Sequence, residues 1–113
     1  MLRSKISLEE FLEIKPKRRD FKWVEEEEKV RIIVPKFKSS IGKKFCRLLK
    51  RDVNFTVNLD RIGSEVWKMC DGEKKVNEIL KHLERKFPQE KQLKERLFCY
   101  LYTLKRLNYI DFL

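Results

Sequence analysis

The stretch LDRIGSEVWKMCDGEKKVNEIL, residues 59–80, decides the architecture. Ile62, Val66 and Met69 or Cys70 recur every three to four positions, the period of a helix with one buried face, and Asp60 stands where an N-cap belongs. Asp71-Gly72 ends that helix, because glycine enters the left-handed region that a helix exit commonly needs. Val76, Ile79, Leu80, Leu83 and Phe87 then line a second helix, which Pro88 closes. Trp67 lies about 100° round from Val66, at the margin of the first core face. A large ring there sets how the helices cross, so its expected role is packing rather than chemistry.

Beyond Pro88 the helical period resumes from roughly Gln89 to Leu107, and YIDFL (109–113) reads as an extended tail. With Leu97 at zero on a wheel of 100° per residue, Leu93, Leu97, Tyr100, Leu101, Leu104 and Leu107 form one stripe, enough to pack on two other helices. Phe98 and Tyr102 fall off it, near 100° and 140°, with Lys94 and Lys105 beside them. Two rings one turn apart make a continuous second ridge.

Before residue 59, NFTVNL alternates Phe55, Val57 and Leu59 against Asn54, Thr56 and Asn58, a half-buried strand. FKWVEEEEKVRIIVP (21–35) alternates on both sides of an acidic run and predicts a hairpin with a solvated tip. Between them, residues 36–51 predict a short helix with Ile41, Phe45, Leu48 and Leu49 inward, and carry Lys36, Lys38, Lys43, Lys44, Arg47, Lys50 and Arg51. SLEEFLEI (7–14) has Ser7 and Glu10 placed as a capping box, and Leu8, Phe11 and Leu12 on one face. KPKRRD (15–20) reads as a solvated basic link. The prediction is an α+β, winged-helix-like fold: a three-stranded antiparallel sheet followed by a three-helix bundle, an extra N-terminal helix, and a basic helix between strands two and three. The expected division is an N-terminal helix and link over 1–20 and one domain over 21–113 with a basic insertion at 36–51.

Composition narrows the function. Of 113 residues, 42% are apolar, enough for a core at this length, and the net charge is +10. That charge permits nucleic acid, an anionic surface or an acidic protein as partner. Cys46, Cys70, Cys99 and the lone His82 do not have the spacing of a zinc site, and the three thiols, set among apolar residues, read as buried. With three glycines there is no phosphate-cradling loop, and no nucleophile–base–acid pattern stands out, so neither enzymatic turnover nor a cofactor is expected. The start, MLRSKISLEEF, has no apolar signal core, and no run is long enough to span a membrane; a reducing cytoplasm is the predicted setting.

Leu59, Gly63, Val66, Trp67, Asp71, Gly72, Val76, Glu78 and Ile79, taken together at this spacing, resemble the signature of the PqqD-like family. Lys75 stands where that family usually has Thr or Ser. The resemblance runs from about Asn54 to Ile110, and residues 1–20 and 36–51 exceed the family's compact core. It implies a non-enzymatic carrier that holds the leader of a ribosomally made precursor peptide and presents it to a maturation enzyme, often of the radical SAM class. It further implies that the leader adds as a strand to the sheet edge, in a cleft against the third helix.

On these residues the predicted peptide site is the strand Phe55, Thr56, Val57, Asn58 and Leu59, facing Lys94, Phe98, Tyr102 and Lys105. Packing under the N-terminal helix or the basic segment is a second use of the aromatic ridge, and a homodimer seam a third. The basic residues at 36–51 are the expected dock for an acidic face of the partner enzyme. The rival function is a DNA-binding winged helix, since helices two and three could form a helix-turn-helix in a basic chain. Glu90 and Glu95 at the start of the third helix weigh against it.

Overall fold

The computed structural model describes residues 6–35 and 54–113, so the basic segment and its predicted helix lie outside the described residues. The elements in chain order are α1 (Leu8–Leu12), β1 (Pro16–Arg18), β2 (Lys22–Glu26), β3 (Lys29–Pro35), β4 (Asn54–Asn58), α2 (Arg61–Met69), α3 (Val76–Lys86), α4 (Leu93–Arg106) and β5 (Ile110–Phe112). The protein is α+β, with an antiparallel sheet in the order β2-β3-β4 and three helices after it.

Register explains which face of the sheet is buried. Trp23 pairs with Ile32 and Ile32 with Val57, while Val34 pairs with Phe55, so these side chains share the inner face. Val30, Ile32 and Val34 are buried there beneath α2, whose Val66 and Trp67 are fully enclosed. Trp67 meets Trp23 edge-on at 6.4 Å. The hairpin turns in two residues, Glu27 and Glu28, both with positive φ. That conformation matches the strand twist but carries a cost for a side chain other than Gly or Asn. Three of the four glutamates at the tip are paired, Glu25 with Lys68 at 2.7 Å, Glu28 with Arg61 at 2.8 Å and Glu26 with Arg31.

The helix ends follow local chemistry. The Asp60 carboxylate accepts the Gly63 N–H at 2.7 Å and caps α2. Gly72 sits at φ 81° in the turn that follows. Lys75 has no acceptor with which to cap α3. The work is divided instead: Asp71 accepts the N–H groups of Glu73 and Lys74, and Glu78 reaches back to the Lys75 N–H at 2.7 Å. At the N-terminus Ser7 and Glu10 form the reciprocal capping box of α1.

Three expectations need correction. Residues 15–20 are not a solvated link. Pro16 is buried, and β1 pairs with β5 antiparallel, Pro16 opposite Phe112 and Arg18 opposite Ile110, in a second, two-stranded sheet. The other side of β1 is also engaged, through Arg18 N–H to Cys70 C=O and Gly72 N–H to Pro16 C=O. The Arg18 guanidinium donates to the Trp67 and Lys68 carbonyls at 2.9 and 2.8 Å, so this basic residue closes a helix C-terminus instead of facing solvent. The third helix starts at Leu93, four residues later than the pattern suggested, because Gln92 takes a left-handed conformation. Cys70 is buried, which pushes its thiol up to about 12, but Cys99 is exposed on the side of α4 opposite Leu97.

Candidate functional site

β4 is the edge of its sheet, with β3 as its partner strand among the described residues. The Leu59 N–H donates to the Val30 carbonyl at 2.9 Å, which marks that pair as hydrogen-bonded. In an antiparallel ladder such pairs alternate, so Phe55, Val57 and Leu59 direct their backbone groups to β3. The N–H and C=O of Thr56 and Asn58 therefore point away from the sheet. On the inner face Val57 is half-buried and Phe55 is 42% exposed despite facing the core side. An unpaired edge beside uncovered apolar side chains is a template for another extended chain.

Surface depressions line the same end of the sheet. One of about 670 Å³ is bounded by Glu26, Glu27, Lys29, Val30, Arg31, Asn58 and Leu59. Another, of about 280 Å³, shares Lys29 and continues past Asp60 and Arg61 to Arg96 on α4. Asp60 is the hub here. Its carboxylate, already capping α2, also accepts the Tyr100 hydroxyl, and Arg96 approaches it at 3.9 Å. Burial first, and then this bond to Asp60, raise the Tyr100 phenol above its ordinary range. Gly63 is needed at the contact: a Cβ there would stand 2.7 Å from the Tyr100 ring.

Phe98 and Tyr102 are placed elsewhere. They lie about 160° round α4 from Tyr100, so the flank meeting Asp60 and the flank carrying the ridge are opposite. The ridge packs under the N-terminal helix, the second of its expected uses: Phe11 stacks on Tyr102 at 5.0 Å and meets Phe98 edge-on at 4.8 Å. Phe112 of β5 adds an edge contact to Phe11 at 5.8 Å, with the Lys105 ammonium 6.0 Å from its ring centre. Lys94 is exposed at the start of α4 and Lys105 half-buried near its end. The structure thus brings Phe55 to Leu59 together on one edge, and Phe98, Tyr102 and Lys105 together on another surface. It does not face one set with the other.

Of the remaining motif residues, Trp67, Val76 and Ile79 are fully buried core. The family comparison now adds to this geometry. Residues 47–110 match the family model described as Coenzyme PQQ synthesis protein D, PqqD. The chain belongs to the PqqD family. The match spans β4 and α2 to α4, including Thr56, Asn58 and the Asp60 hub, whereas α1 and the hairpin precede it. PqqD family members are non-catalytic accessory proteins in peptide modification, partnered with a precursor peptide and a modifying enzyme. No curated protein and no solved structure matches the chain. No helix among the described residues is long and apolar enough to cross a membrane.

One cluster escaped the sequence reading. Glu65, on the core side of α2, is 9% exposed and receives His82 Nε2 at 2.6 Å and Lys86 at 3.0 Å. Burial pushes its carboxyl up, but the bonds from His82 and Lys86 outweigh that and hold it below its ordinary value. His82 is thus half-buried and tied to α2. The available signal was Glu65 itself, a charge one position before Val66 on a helix flank that meets α3. Its partners form ion pairs that join α2, α3 and β2, with Lys68 linking Glu65 to Glu25.

Proposed function

We propose that this PqqD-family chain is a non-catalytic carrier of winged-helix-like form that holds the leader of a ribosomally made precursor peptide and presents it to a radical SAM maturation enzyme in the cytoplasm. The leader adds as a strand to β4 along Phe55, Thr56, Val57, Asn58 and Leu59. The observation that carries this reading is the outward direction of the Thr56 and Asn58 backbone groups, which offer two donors and two acceptors to a fourth strand. Alternate side chains of that strand would rest on Phe55 and Val57. Lys94, Phe98, Tyr102 and Lys105 form a second contact surface, partly covered by Phe11. The basic residues Lys36, Lys38, Lys43, Lys44, Arg47, Lys50 and Arg51 dock an acidic face of the enzyme. A DNA-binding role is less well supported, because Arg96 of α4 is held by Glu90 at 2.9 Å and so is engaged within the protein.

Thr56→Pro tests the reading. It deletes one outward N–H and no β3–β4 bond, and proline is tolerated on an edge strand in that orientation. The variant is expected to fold and to lose at least tenfold in leader affinity by calorimetry. Unchanged affinity would sink strand addition at β4. Val57→Pro, which does break the ladder, is the control for general damage.

A further inference from the structure

α1 has five residues, too few for a helix to persist without tertiary support. One ring of the helix is buried, and Leu12 beside it is partly so. Phe11 is 3% exposed among Phe98, Tyr102 and Phe112, whereas Leu8 and Ile6 are 46% and 43% exposed. The other ties are the partly buried Leu12 and Ile14 side chains, which pack on the core, an ion pair from exposed Glu13 to Lys75, and the Val76 N–H to the Ile14 carbonyl. Immediately after Ile14 the chain is secured independently. Lys15 and Leu113 exchange backbone bonds at 2.9 and 3.0 Å, and Pro16 is buried with its carbonyl on the Gly72 N–H. A hinge at Glu13–Ile14 would therefore let α1 lift without disturbing a strand. α1 also lies outside the segment shared with the PqqD family.

Lifting α1 uncovers a slot walled by three rings, with the Lys105 ammonium at its margin. Phe11 itself shows what such a slot accepts: an aromatic side chain on a helical turn bearing Glu9, Glu10 and Glu13. We propose that α1 is a clasp that opens separately from the fold, and that the slot behind it docks an acidic, phenylalanine-bearing turn of a partner protein. The slot is the second contact surface named above, here given to a partner protein and not to the leader; it is distinct from the β4 edge, so the proposal stands whether or not a leader binds at β4.

Two measurements test it. In native-state hydrogen exchange on the full chain, the amides of Glu10 and Phe11, bonded to Ser7, are expected to exchange at least a hundredfold faster than those of Leu101 and Ile110. Equal rates would make α1 part of the cooperative core and overturn the clasp. The second uses a capped nine-residue peptide copying Ile6–Ile14 as probe against the full chain carrying Phe11→Ala. Saturable shifts of the Phe98 and Tyr102 ring signals are expected, at least tenfold weaker with the unaltered chain, where Phe11 competes, and absent for a peptide with alanine at the Phe11 position. Failure of the Phe11→Ala chain to fold, no peptide binding to it, or equal binding to both chains would overturn the proposal.

Discussion

The two flanks of α4 are closed in different ways. On one, Tyr100 and Arg96 meet Asp60, which also caps α2, and Gly63 leaves the space the Tyr100 ring needs. The contact is polar and directional, and every partner comes from the segment matched to the PqqD family. On the other, Phe98 and Tyr102 meet Phe11 and Phe112, contributed by the two ends of the chain. That contact is apolar and non-directional. A directional hub of this kind admits few substitutes, whereas an aromatic slot accepts any ring of suitable size. The difference points to a permanent joint on the first flank and an exchangeable one on the second.

The comparison can be broken most severely from beneath. Trp67 is fully buried under the sheet, and Trp67→Ala is expected to cost about 3–5 kcal/mol in a denaturation curve, loosening both flanks together. Gly63→Ala strikes the polar flank alone. The added methyl would displace the Tyr100 ring from Asp60, at about 1–3 kcal/mol, while the ring contacts of Phe11 persist in NMR spectra. Asp60→Ala leaves the space but removes the cap and the Tyr100 acceptor, for a loss of about 1 kcal/mol.

The smallest effect is expected at the joint behind β1, where the backbone of Asp71 pairs with that of Lys17 in a single antiparallel β-bridge. The Lys74 ammonium, and then the N–H groups of Glu73 and Lys74, lower the Asp71 pKa from 3.8 to about 2. A depressed carboxyl contributes stability above its unfolded pKa and loses it as pH falls through the folded value. Asp71→Asn should therefore be less stable than the parent near neutral pH, with the gap closing between about pH 4 and pH 2. The pair is partly exposed, so the gap is on the order of a few tenths of a kcal/mol. A gap independent of pH would show that Asp71 acts only through its turn geometry.

Much of the frame was legible. The hairpin, β4 and the three later helices rest on alternation or on apolar residues three and four apart, and the Asp60 cap and Gly72 turn on residues adjacent to the elements they end. The peptide edge was half legible: alternation placed Phe55 and Val57 on the inner face, but which backbone groups faced outward depended on the pairing with β3. The aromatic ridge was recognised as surplus to the helix stripe, yet nothing in α4 says what fills it. Glu65 and His82 were hidden for the same reason, since each looks like an ordinary helix-surface charge until the other helix is set beside it.

By itself the sequence determined α1, the hairpin, β4 and the three later helices, though not β1, together with their boundaries to within a few residues, the turn chemistry between α2 and α3, and the membership that residues 59–80 announce. Those properties depend on side chains within one or two turns of each other, where geometry is set by the backbone period. Only the tertiary structure decided that Pro16 lies opposite Phe112 and that Phe11 occupies the ridge. Each joins segments nearly the whole chain apart, and such closures are selected by the total burial they achieve, a quantity that no local pattern contains.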